Sequence, residues 1–191
     1  MTELVRCPWS TATEEYRRYH DEEWGVELHG DRQLYERVSL EGFQSGLSWL
    51  TILRKREAFR DAFAGFDPAV VAEFDESDVE RLMANTAIIR NRAKILATIR
   101  NARATAELGR PLDELLWSFA PAKARRRPRT MREVPSVTEE STAMAKSLRK
   151  HGFAFVGPTT CYALMQATGM VDDHLADCWR AGPSIAGRDN S

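Results

Sequence analysis

Four side chains near the two ends of the chain have the donor types of a metal site. Cys7 and His20 stand near the start, and His174 and Cys178 stand near the finish. His174 and Cys178 are four apart, the spacing that stacks two side chains on one helix face. One thiolate and one imidazole from each end would form a four-coordinate Cys2His2 set, the ligand set of a closed structural zinc. The two pairs lie about 150 positions apart, so the site would fasten one terminus to the other. The spacing differs from a local finger, whose ligands fall close together. It is equally compatible with buried core cysteines and unrelated histidines.

A second candidate is Glu41. Helical steps place it under Val38 and Leu34, on the apolar side of its segment. A carboxylate there needs hydrogen-bond donors, a counter-charge or a cationic ligand to offset its desolvation. It could pair with an arginine or cap a neighbouring helix; it could equally bind a ligand. Around it in sequence lie Trp9, Tyr16, Tyr19, Trp24 and Trp49. Each has ordinary core packing as an alternative. Grouped about an inward acid they would box a flat, electron-poor ring, by stacking and cation–π attraction on its faces and an acceptor at its edge.

The elements that must position these residues are helical. No alternating strand pattern stands out, and the periodicity predicts an all-α chain of nine or ten helices. A short helix fits residues 12–23. Asp31 reads as the N-cap of a helix carrying Leu34, Val38 and Phe43, and Ser48 restarts the chain with Trp49, Ile52, Leu53, Phe59 and Phe63. Asp67-Pro68 opens another helix, and Ser77–Glu80 reads as a capping box. Asn91–Leu108 is long and amphipathic, and Leu112–Phe119 is short. Ser136–Glu139 reads as a second capping box for a helix to Lys150. A glycine turn leads to Thr159–Thr168, and a last helix is expected to carry His174 and Cys178.

The pair of helices across residues 139–169 turns at Phe155-Val156-Gly157-Pro158-Thr159-Thr160. A glycine turn opening into a helix N-terminus offers free backbone N–H groups to a phosphate, although many helix pairs turn on glycine without binding one. Residues 120–135 read as an extended loop with six basic side chains: Lys123, Arg125, Arg126, Arg127, Arg129 and Arg132. These, with Arg54, Lys55, Arg56, Arg90, Arg92 and Lys94, could contact a nucleic-acid backbone or simply form a solvated face.

The 191 residues suffice for one large domain, expected over 1–182 with a flexible tail at 183–191. A content of 43% hydrophobic and 29% charged residues is that of an ordinary soluble protein. No run spans a bilayer, no secretory leader is evident, and three cysteines without a disulfide-like spacing suggest a reducing, cytoplasmic compartment. With a net charge of −1, any polyanion must be met by local patches.

Several long stretches, in order, resemble the DNA-3-methyladenine glycosylase I family of helix-hairpin-helix glycosylases. They are Arg6–Trp9, Tyr19–Val26, Leu40–Trp49, Ile88–Ile95, Gly152–Ala167, and Asp173-His174 with Cys178. The resemblance covers residues 6–179. It implies two helical lobes around a base-binding cleft, with one structural zinc on Cys7, His20, His174 and Cys178. It places the base-pocket acid on Glu41 and the pocket walls on Trp9, Tyr19 and Trp49, with Tyr16 and Trp24 nearby. The DNA-binding residues then fall on Gly157, Thr159 and Thr160 of the hairpin. Leu47, beside Gln44, matches the segment that probes the gap left by an extruded nucleotide.

Pro158-Thr159-Thr160 stands where strand-cleaving relatives carry a lysine nucleophile, which implies a monofunctional enzyme. The expected partner is double-stranded DNA with alkylated bases, acted on by a monomer. Ala87 departs from the family's usual glycine, and Asp172 from its usual asparagine; Asp172 is either a helix N-cap or an aid to bond cleavage. The two competing readings are a non-catalytic helix-hairpin-helix DNA-binding module and a zinc hydrolase with Glu41 as general base.

Overall fold

The computed structural model describes residues 4–181. Among them lie nine α-helices and three short 3-10 turns, with no strand. The helices are α1 (Glu14–Glu22), α2 (Asp31–Gln44), α3 (Trp49–Ala62), α4 (Pro68–Ala72), α5 (Glu76–Ala84), α6 (Arg92–Ala106), α7 (Leu112–Trp117), α8 (Glu139–Lys150) and α9 (Pro158–Ala167). The expected tail at 183–191 lies outside the described residues.

Helix α2 is the central element. Leu34, Tyr35, Val38, Leu40 and Phe43 are buried along it, so its apolar surface is not a stripe but nearly a full circumference. It packs against α3, α4, α6, α7 and α9. Phe43, Phe59, Phe63 and Phe66 form a continuous aromatic stack, with ring centroids 4.6–6.3 Å apart, that joins α2 to α3. The hairpin turn approaches α2 at Gly42, where a β-carbon would lie in ordinary contact, 3.5 Å, with that of Phe155. The helix that carries Glu41 thus contacts both α3 and α9.

Caps were legible in type but not always in register. Ser48, Asp67 and Asn91 cap α3, α4 and α6 through their side chains. Asp31 does not cap α2; Gly30 holds that position, and the Asp31 carboxylate accepts the amide of Asp113 across the core. The two capping boxes slide by two residues: Asp75 pairs with Asp78, and Thr138 with Ser141. The first moves two residues toward the N-terminus and the second two toward the C-terminus, and in each a neighbouring short polar side chain takes the free amides. The expected last helix does not form. Residues 171–181 are turns, so His174 and Cys178 are brought together by an irregular loop.

Candidate active site and metal centre

The 3-10 turn Pro8–Thr11 and helix α1 deliver Cys7, Trp9, Tyr16, Tyr19 and His20 to one region. The loop after α9 delivers His174 and Cys178 to the same place. All four candidate ligands are buried, and their donor atoms lie within 4.8 Å of one another. Cys7 Sγ is 3.9 Å from His174 Nδ1; Cys178 Sγ is 3.4 Å from His20 Nε2 and 3.8 Å from His174 Nδ1. A tetrahedral ion with Zn–S near 2.3 Å and Zn–N near 2.0 Å needs edges of about 3.3–3.8 Å, which these three spacings approach.

The surroundings fit a metal as well. The nitrogen of each histidine that faces away from the cluster is engaged: His20 Nδ1 with Asp21 Oδ1 at 2.8 Å, and His174 Nε2 with the Trp24 carbonyl at 3.2 Å. Such outer partners fix the tautomer and aim the ligating nitrogen. Asp21 is itself clamped by Arg6 at 2.8 Å. Burial lowers Asp21's charge tolerance, but the Arg6, His20 and Trp179 hydrogen bonds outweigh it and hold the carboxyl at about 2. Burial pushes His174 down to about 4, leaving its lone pair free at neutral pH, and pushes the Cys7 thiol up to about 12. A bound cation would reverse the latter. The Leu175 amide already points at Cys7 Sγ, 3.4 Å away. This group could therefore bind a metal ion and, placed between residues 7 and 178, join the chain ends.

Beside the cluster opens a cavity of about 290 Å³. Glu41 and Gln44 enter it from α2, Trp9, Tyr16, Tyr19 and Trp24 from the N-terminal segment, and Trp49 from the start of α3. The six expected pocket residues thus meet, and Gln44, expected among the DNA contacts beside Leu47, joins them in the lining. Arg37 and Glu41 are one turn apart on α2, yet they form no ion pair among the described residues. The Arg37 guanidinium lies 5.7 Å from the Tyr19 and Trp49 ring centroids and 3.6 Å from Glu23, which a second arginine, Arg56, also grips. Glu41 is left 5% exposed with no hydrogen-bond donor among the described residues. Burial raises its carboxyl to about 7, against the downward pull of Arg37. Trp49 Nε1 is likewise buried without a partner. A pocket with a lone acceptor and a lone donor is set to receive a molecule.

The aromatic walls brace one another. Trp9 meets Tyr16 and Trp24 edge-on at 5.7 and 5.1 Å, and Tyr19 leans on Trp49 at 5.5 Å. The Tyr16 hydroxyl accepts the Leu50 amide at 3.0 Å, fastening α1 to the N-terminus of α3. Trp24 packs 4.7 Å from the His174 ring, so the cluster and the pocket share a wall.

Sequence reasoning missed several contributors. Met131, Val134 and Pro135 close the pocket from the loop read only as basic, and Ala163, Gln166 and Ala167 close it from α9. Asp173 also lines it, accepting from Tyr162 Oη at 2.5 Å and Gln166 Nε2 at 2.9 Å. Asp172 does not: its carboxylate takes the Arg127 guanidinium and the His174 amide, as a loop brace and not a helix cap. Lys94 is buried and donates to the carbonyls of Phe43 and Ser45 at 2.7 and 2.5 Å, fixing the end of α2 and the turn that presents Leu47. Its expected place on a solvated face is thereby corrected. Only the adjacency of Lys94 to the helix start hinted otherwise.

Leu47 is 41% exposed at the tip of a turn whose Gly46 takes φ +80°. The hairpin turn is held by Asn101, which donates to the Ala154 carbonyl at 3.1 Å and accepts its amide at 2.8 Å. Gly157 caps α9 with open space where a β-carbon would stand, and Thr159 and Thr160 follow at the helix N-terminus.

An all-helical protein with a buried acid in an aromatic slot, an exposed apolar tip at Leu47 and a glycine turn between α8 and α9 has the parts of an enzyme with a pocket for a flat ring. The methyladenine glycosylase family model matches residues 9–181. A DNA-3-methyladenine glycosylase 1 of Escherichia coli K12 is 46% identical, over 92% of this chain and 96% of the relative. A 3-methyladenine DNA glycosylase I crystal structure superposes with a TM-score of 0.88 at 45% identity, covering 92% of this chain and 99% of that one. A Staphylococcus aureus glycosylase I, solved to explain its 3-methyladenine recognition, gives 0.86 at 32% identity over 93% and 96% of the two chains. The chain belongs to the methyladenine glycosylase family.

Proposed function

We propose that this glycosylase releases 3-methyladenine from alkylated double-stranded DNA, with Glu41 as the charge partner of the flipped base. The observation that carries the reading is the buried Glu41 carboxylate, without a donor, at an aromatic slot. A 3-methylated adenine is cationic while attached to the sugar. Stacking between Trp9, Tyr19, Trp24 and Trp49 favours such a ring, and Tyr16 holds the slot open. Glu41 accepts from the base's edge N–H and offsets its charge, an interaction an uncharged adenine does not repay. Gln44 adds an amide at the same wall.

The reaction needs little acid catalysis. The C1′–N9 bond breaks with its electron pair passing to the ring, which leaves as neutral 3-methyladenine. A water oxygen bonds to C1′ and loses its proton to solvent, leaving an abasic site. Flipping costs stacking and pairing energy, which Leu47 offsets by filling the gap. Gly157, Thr159 and Thr160 offer the hairpin's free amides to a backbone phosphate. No lysine lines the pocket among the described residues, so strand cleavage through a Schiff base is not expected.

The donor set Cys7, His20, His174 and Cys178 is that of zinc, held as a structural ion. Four protein ligands would leave no open position, which argues against a zinc hydrolase. When bound, the ion supplies four fixed coordinate bonds and no chemistry. A non-catalytic DNA-binding module has no use for the acid in its slot. We place the protein in the cytoplasm as a monomer; no helix among the described residues is long and apolar enough to cross a membrane.

The test is incubation with methylated duplex DNA and identification of the bases released. Free 3-methyladenine with intact strands supports the reading. Release of no base, or an adduct trapped by borohydride, overturns the corresponding part.

A further inference from the structure

Of the six basic residues expected as backbone contacts outside residues 123–132, all but Arg90 are spoken for. Arg54 pairs with Glu15, Arg56 with Glu23, and Arg92 with Glu76 and Glu80; Lys55 and Lys94 are spent on backbone carbonyls. Residues 123–132 differ. Arg127 is paired with Asp172, and Arg125 lies near Tyr162. Lys123, Arg126, Arg129 and Arg132 are exposed, and none forms an ion pair among the described residues. In a chain of net charge −1, that is a local concentration of uncompensated positive charge.

The strap is also fixed in place. The Ala176 amide donates to the Pro128 carbonyl at 2.9 Å, Arg127 is tied to Asp172, and Val134 packs on the cluster of Cys7, Leu175 and Cys178. Its far end walls the base pocket through Met131, Val134 and Pro135, while its basic part lines an adjoining groove of about 750 Å³. Asp173 stands on the boundary of the two spaces. A nucleotide flipped into the pocket remains joined to a phosphate on either side, and these must cross the pocket mouth beside the strap.

We propose that residues 123–132 form a phosphate clamp for the damaged strand, with Lys123, Arg126, Arg129 and Arg132 neutralising the backbone that flanks the extruded nucleotide. The proposal rests on the reading of this chain as a DNA glycosylase. It adds a second backbone site to the hairpin, on the opposite part of the chain from Leu47. Because phosphate contacts carry no base information, the clamp acts on undamaged DNA too.

The experiment measures the affinity of the full chain for an undamaged duplex as a function of salt. Each phosphate neutralised contributes a slope of about −0.9 in log K against log salt. The quadruple variant K123A/R126A/R129A/R132A is expected to lower the slope by about 2–4 and to weaken binding at 0.1 M salt by at least about tenfold. The triple variant R126K/R129K/R132K keeps the charge and is expected to keep the slope. Equal melting temperatures show that the fold is intact, since these side chains make no internal hydrogen bond. An unchanged slope in the quadruple variant overturns the clamp, and so does a slope lost in the lysine variant. Glu41→Gln leaves this readout unmoved, so failure of the clamp and failure of the base-pocket reading are separate results.

Discussion

Replacing Glu41 by glutamine should lower activity and raise stability at the same time. In the unfolded chain the carboxyl titrates near its ordinary 4.5; in the fold, burial raises it to about 7. Between these values the native state holds a proton that the unfolded state has lost, so stability falls as pH rises through the window. The fall amounts to about 3 kcal/mol by pH 8, at 1.36 kcal/mol per tenfold change in proton affinity. Glutamine is nearly isosteric and carries no charge to bury. Glu41→Gln should therefore match the parent below pH 4.5 and exceed it by about 3 kcal/mol at pH 8. For a chain of this length that is roughly 6–12 °C in melting temperature. Excision should drop on the order of 10²-fold, as when a preorganised charge partner is lost from a dry site. In the parent, kcat/KM should rise with pH through about 7, as the free enzyme's Glu41 ionises. Thermal melts of both proteins from pH 4.5 to 8, with single-turnover excision alongside, decide it. A variant with the parent's pH slope, or one less stable than the parent at pH 8, would refute the account of Glu41 as a buried, uncompensated acid.

Three further outcomes follow from the same structure. Removing the metal by chelation should destabilise the protein by about 5 kcal/mol, because a crosslink between Cys7 and Cys178 closes a loop of about 170 residues; elemental analysis finding less than one ion per purified chain would remove the basis for this. Leu47→Ala trims a 41% exposed side chain, so melting should shift by under about 0.5 kcal/mol while excision from duplex slows more than excision from single-stranded DNA. Equal slowing on both substrates would deny Leu47 its gap-filling role. Gly169→Ala would place a β-carbon 2.7 Å from the Val26 carbonyl carbon and the Glu27 amide, at a position held at φ +74°. A loss of at least about 1–3 kcal/mol is expected, read as a lower melting temperature with the metal still bound.

The sequence carried the identities of the parts. The helical period, the polar caps and the inward place of Glu41 are local properties, fixed by 3.6-residue geometry and the chemistry of free amides. The ligand types and the family motifs were legible for the same reason. What local pattern could not carry was register and company. The capping boxes slid by two residues, because several short polar side chains competed for the same amides and only packing chose between them. His174 and Cys178 meet without a helix: the local bonds from the His174 amide to Asp172 and from the Cys178 amide to the Leu175 carbonyl make only turns, and contacts with Cys7 and Trp24 complete the placement. Lys94 looked like a surface cation until the end of α2 was seen against it. That Glu41 lacks a donor follows from Arg37 being drawn to Glu23, Tyr19 and Trp49. A charge's partner is decided by distances of a few ångströms between segments far apart in the chain. The residue types determine which chemistry is available; the tertiary structure decides which acid stays lonely enough to perform it.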